Sequence, residues 1–127
     1  MKLRVTKNSI RLRLSQTDVQ RFSEAGIVDE ELKIGGIRGG SLTYRLIRGN
    51  GAVVTANIDN AILTVAIPAG EADEWTGSER VGIEGSQTND EGIDVSILIE
   101  KDFACLTPRA GDDDTDSFPH PEIAKNC

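Results

Sequence analysis

The chain has 127 residues, 38% of them hydrophobic and 28% charged, with a net charge of −7. That length suits one domain, the composition is that of a soluble globular chain, and no apolar run approaches the ~20 residues that span a bilayer. The negative charge and the shortage of aromatic residues among the arginines argue against a nucleic-acid surface, which needs a basic stripe and stacking platforms.

The opening residues, KLRVTKNSIRLRL (2–14), alternate apolar and cationic side chains. Period-two alternation puts one set on each face of a strand. A turn at Asn8-Ser9 makes this a hairpin with Val5 facing Leu12 and Leu3 facing Leu14 on one side. Arg4 then faces Arg13, and Thr6 faces Arg11, on the other. Such a turn requires positive φ, which Asn tolerates. SQTDVQRFSEAG (15–26) reads as a short helix capped by Ser15 or Thr17, with Asp18 at the positive end of its dipole and Gly26 as its stop. A strand near Glu30–Ile34, the glycine-rich connection GGIRGG (35–40) and the alternating LTYRLIR (42–48) follow.

The grammar then recurs. Residues 52–68 read as a second hairpin around Asp59-Asn60, and 69–77 as a second short helix carrying Ala72 and Trp75. Two more strands follow, at 80–85 and 93–100, the second with Ile93, Val95, Ile97 and Ile99 inward. Strand, strand, helix, strand, strand thus occurs at about 2–48 and again at 53–100, with Asn8-Ser9-Ile10 matching Asn60-Ala61-Ile62 and Phe22 matching Trp75. One such unit leaves an apolar sheet face uncovered, so two must combine.

The expected fold is therefore mainly β: an antiparallel barrel or sandwich of about eight strands with two short helices, built from two similar halves, with a layered α+β sheet as the alternative. The expected core contains Leu3, Val5, Leu12, Leu14, Phe22, Leu46, Leu63, Val65, Trp75, Val95 and Ile97. Residues 1–106 form the single domain, and 107–127 form an irregular acidic tail in which Phe118 or Ile123 could anchor.

Charge is divided unevenly. Residues 1–48 carry ten Lys/Arg and five Asp/Glu, whereas 49–127 carry four and sixteen. Arg4 opposite another arginine is a like-charge cross-strand pair, unfavourable without an anion nearby. The candidate site is accordingly an anion-binding face of Arg4, Arg11 and Arg13, joined by Arg45 if the sheet order permits. Glu31, Glu100 or the tail acids Asp112–Asp116 are internal candidates for neutralising it, and a solvated, screened strand face is the plain alternative.

Other motifs fall short. Triphosphate-cleaving tunnel barrels need alternating glutamates on their first strand, where this chain has Lys2, Arg4 and Thr6; Glu100 and Asp102 could supply metal ligands only from late in the chain. Asp112, Asp114 and Asp116 begin a calcium-hand pattern that fails at Ser117 and Ile123. His120 stands alone between two prolines, and no zinc set or hydrolase triad assembles from it with Cys105. GGIRGGS (35–41) lacks the Gly-Lys-Ser/Thr ending of a phosphate loop. The cysteines, Cys105 and Cys127, read as reduced thiols, and the start has no apolar leader core, so a cytoplasmic protein is expected.

The runs Asn8-Ser9-Ile10-Arg11-Leu12-Arg13-Leu14 and Glu100-Lys101-Asp102-Phe103-Ala104-Cys105-Leu106, with Leu42-Thr43-Tyr44 between them, resemble a family of short uncharacterised bacterial proteins. The resemblance covers nearly the whole chain. It implies a bacterial, cytoplasmic, stand-alone domain and brings no activity or cofactor. The functional expectation is a non-enzymatic binding module whose arginine-lined face takes an anionic ligand, an acidic partner or its own tail, without cofactor, nucleic acid or membrane. The alternative is a metal-assisted hydrolase of a phosphorylated small molecule.

Overall fold

A computed structural model describes residues 1–103. Cys105, the aspartate run, His120, Phe118, Ile123 and Cys127 lie outside the described residues. Eight strands and two helices follow one another as β1 (Lys2–Thr6), β2 (Ser9–Leu14), α1 (Gln16–Ala25), β3 (Ile27–Lys33), β4 (Ser41–Gly49), β5 (Thr55–Asp59), β6 (Ile62–Pro68), α2 (Ala69–Gly77), β7 (Gly82–Thr88) and β8 (Asp94–Lys101). They make two four-stranded sheets, ordered β1-β2-β8-β7 and β3-β4-β6-β5. A sandwich fits this arrangement, and the barrel alternative does not, since neither sheet closes.

Within each sheet the expectation of antiparallel pairing holds for the hairpins and fails at the centre. β2 runs parallel to β8, and β4 runs parallel to β6. The reason is that each sheet combines one hairpin from the first half of the chain with one from the second, joined along their inner strands. A step of 53 residues carries Ser9 to Ile62 and Thr43 to Ser96, and the cross-strand pairs Ser9↔Ser96 and Thr43↔Ile62 are both formed. The same step carries Leu12 to Val65, Leu14 to Ile67 and Phe22 to Trp75, all of them buried. Ile10 therefore corresponds to Leu63 rather than to Ile62. This is the arrangement two similar halves would give.

The first hairpin turns at Lys7-Asn8, one residue earlier than expected, so Arg4 lies opposite Arg11, Leu3 opposite Leu12 and Val5 opposite Ile10. The second turns at Asn60-Ala61, whose φ of 51° and 60° are the positive values among described non-glycine residues. Positive φ at both central residues matches the right-handed strand twist. It is thus the second hairpin, not the first, that uses this device.

α1 begins with a reciprocal capping box: the Ser15 hydroxyl accepts from the Asp18 amide, and the Asp18 carboxylate accepts from the Ser15 amide. It ends at Gly26, in the left-handed region at φ 74°, whose N–H donates to the Phe22 carbonyl. Phe22 and Trp75 meet edge to face, ring centroids 6.2 Å apart, and the indole N–H donates to the Val81 carbonyl at 3.0 Å. Around them pack Leu12, Leu14, Leu46, Val65, Ile97 and Ile99. Leu3 and Val95 are only half-buried. Val5 is 61% exposed, because it stands near the tip of an edge hairpin beyond the cover of the second sheet.

The sheets are fastened at two corners by different means. At one, the Gln87 side chain donates to the Ala56 carbonyl and accepts from its amide, at 2.7 and 3.0 Å, standing in for a strand between β7 and β5. Beside it a Cβ on Gly85 would come within 2.7 Å of the Val54 Cβ, so only glycine allows this approach. At the other, the Met1 ammonium lies 2.8 Å from Asp18 and 3.0 Å from Glu30, and Tyr44 donates to the Met1 carbonyl. Burial opposes the charge on this amine, but the two carboxylates outweigh it and raise its pKa.

Candidate functional site

The arginine face lies on the outside of the β1-β2-β8-β7 sheet. Leu12 and Leu14 alternate inward, so Arg11 and Arg13 must point outward, and the antiparallel register sets Lys2 opposite Arg13 and Arg4 opposite Arg11. The parallel register of β8 then sets Glu100 directly beside Arg13. One oxygen, Glu100 Oε1, accepts from Arg11 Nε and Arg13 Nε, both at 2.8 Å. These side chains are largely covered, with 27% of Arg11 and 17% of Arg13 exposed. Lys2 Nζ sits 2.9 Å from Asp102, two residues further along the same face.

Burial pushes the Glu100 carboxyl up, but hydrogen bonds from Arg11 and Arg13 more than offset this and hold it below the ordinary glutamate value. Of the acids that could neutralise the face, Glu100 is therefore placed to do so. Glu31 lies in the other sheet, near Lys33. One carboxylate between two guanidinium groups leaves a positive excess, and Arg4 stands exposed beside them. Lys2, Leu3, Arg4, Arg11 and Arg13 line a shallow depression of about 150 Å³. Because Arg11 and Arg13 are pinned by Glu100, little side-chain freedom remains to be lost when an anion contacts them.

Arg45 does not join this group. It is on β4 in the other sheet, opposite Asp29, whose carboxylate accepts from its Nε at 3.2 Å. The condition on which Arg45 would join is not met: β4 lies in the other sheet, and the two sheets' outer faces point apart. Among the described residues no group of three or more His, Cys, Asp or Glu is placed to hold a metal ion.

Sequence reasoning missed a second concavity. A groove of about 500 Å³ runs between α1 and the end of β8, lined by Leu14, Val19, Gln20, Thr76, Lys101 and Phe103 among others. Lys101 crosses over the Trp75 ring at 5.8 Å and donates to the Ser78 carbonyl at 2.7 Å. No motif marks this groove.

Among the described residues no helix is long and apolar enough to cross a membrane. The sequence model of a family of unknown function (DUF7009) matches residues 1–122. No curated protein matches the chain, and no solved structure does.

Proposed function

The chain belongs to the DUF7009 family of unknown function, and we propose that it is a non-enzymatic interaction module whose outer β1-β2-β8 face binds an acidic protein segment. One observation carries this reading: the cationic side chains Lys2, Arg4, Arg11 and Arg13 surround one depression, and the architecture does not demand them. The 53-residue step that superimposes the pairing of the two sheets takes Arg4 to Asn57, Arg11 to Thr64, Arg13 to Ala66 and Glu100 to Ile47. At these positions the second sheet builds the same frame from neutral residues.

The shape favours an extended acidic stretch over a small molecule. Small-ligand pockets enclose roughly 300–1,000 Å³, well above the 150 Å³ of this depression. A flat row of guanidinium forks suits carboxylates laid across it. With a net charge of −7, attraction to an acidic partner acts at close range on this face and is strongly reduced by salt. The hydrolase alternative gains no observation of its own, since the two carboxylates beside this face, Glu100 and Asp102, are each bound to cations.

Calorimetric titration of the protein with an oligo-aspartate peptide at low ionic strength tests the reading. Binding is expected, weakening with salt and falling several-fold in Arg4→Ala, an exposed residue with no ion pair among the described residues. Binding of inorganic pyrophosphate but not of the peptide, or of neither, overturns it.

A further inference from the structure

The arginine face has an acidic segment within reach on its own chain. Residues 104–127 follow Phe103 and carry five acids, Asp112, Asp113, Asp114, Asp116 and Glu122, against two bases, Arg109 and Lys125. They continue from the strand that already supplies the face with its anions. Glu100 sits between Arg11 and Arg13, and two residues later Asp102 meets Lys2 at 2.9 Å while its amide donates to the Leu14 carbonyl. The chain therefore departs beside the depression. Eight residues lie between Phe103 and Asp112, and the nine steps along the chain, at ~3.3 Å per extended residue, reach about 30 Å, enough to cover any point of a four-stranded sheet. The family match also runs on to residue 122, so the acidic run lies inside the region the family shares rather than beyond it.

Resting on the function proposed above, we infer that the run Asp112–Asp116 docks on Lys2, Arg4, Arg11 and Arg13 and competes there with the acidic partner. The module regulates its own surface: a partner binds only by displacing carboxylates tethered to the same chain. A tether of this length holds its end at an effective concentration of order millimolar, so even a weak contact masks the face appreciably. The contact is electrostatic and is released by salt.

The test uses the full chain, with the four aspartates replaced together as Asp112→Asn, Asp113→Asn, Asp114→Asn and Asp116→Asn. Removing the competitor is expected to tighten oligo-aspartate binding about tenfold at low salt, with the gain vanishing at high salt. NMR signals of the Arg11 and Arg13 Nε–H groups are expected to move between the two proteins. Adding Arg4→Ala to the asparagine variant should cut the gain. Equal peptide affinity with unmoved arginine signals overturns the inference and leaves the surface itself standing. If the peptide binds neither protein, the function proposed above falls, and the arginine signals alone decide this inference: movement upholds it, and no movement ends it. A gain that grows with protein concentration assigns the run to a second copy and overturns docking within one chain.

Discussion

The outer faces of the two sheets share a strand order and differ in chemistry. On the first, Arg11 and Arg13 converge on one glutamate oxygen, with Arg4 and Lys2 alongside. On the second, the matching positions hold Thr64, Ala66 and Asn57, and the arginine present, Arg45, is answered by Asp29 across the strand. The inner faces are nearly interchangeable: Leu12 and Leu14 meet their counterparts Val65 and Ile67 in one core. The frame is thus a property of the buried alternation, whereas the charge is an addition to one copy of it. The corners repeat the lesson. The step that takes Met1 to Val54, and the 55-residue step that takes Val28 to Ile83 and Glu30 to Gly85, set an ammonium–carboxylate pair at one corner against a glycine–valine contact at the other.

The comparison is broken most forcefully in the core. Phe22→Ala and Trp75→Ala each remove a fully buried aromatic from equivalent helices and should each cost about 3–5 kcal/mol in urea unfolding. If either is nearly neutral, the helices are not equivalent. Next comes the charged face. Glu100→Ala leaves two covered guanidinium groups without their shared acceptor and should cost about 3 kcal/mol, more than Ile47→Ala at the corresponding place.

The pH dependence sharpens this. Because Arg11 and Arg13 hold the Glu100 carboxyl below its ordinary value, its contribution is complete above the unfolded carboxyl pKa of about 4.3. It is lost as pH falls through the lower folded value. The stability gap between wild type and Glu100→Gln should therefore close in acid, and a gap independent of pH would mean that shape rather than charge matters.

Smaller effects separate the corners and the second face. Gly85→Ala forces a Cβ onto Val54 and should lose about 1–3 kcal/mol, while Glu30→Ala, with a half-exposed side chain, should lose less; thermal unfolding compares them. Arg45→Ala opens a largely solvated pair and should change stability by less than about 1 kcal/mol. A loss as large as that of Glu100→Ala would erase the distinction between the two faces.

Much of the frame was legible because alternation and caps are local. The capping box at Ser15 and Asp18, the stop at Gly26 and the inward Ile97 and Ile99 all follow from neighbours in sequence. The hairpin register was not legible for a definite reason. Sliding the partner of Arg4 from Arg13 to Arg11 moves it by two residues, and a shift of two leaves every side chain on the same face. Periodicity could therefore place three arginines together without saying which faces which. It could also place Glu100 outward, opposite in parity to Ile99, but only the parallel pairing of β2 with β8 brings it to the arginines. That pairing depends on which hairpin meets which, and no short stretch of sequence encodes it. Whether Arg45 joined the arginines depended on the same sheet order and was no more legible.

The central pairing also bears on how the molecule comes into being. Ser9 finds Ser96 and Leu14 finds Lys101, so the hairpin of β1 and β2 must wait for β8, about eighty residues later, before its sheet has an inner partner. Folding is then dominated by contacts between distant parts of the chain, which slows it relative to proteins built from neighbours. During synthesis the first hairpin leaves the ribosome with its oily underside bare, and that interval is when a holding chaperone has most to offer.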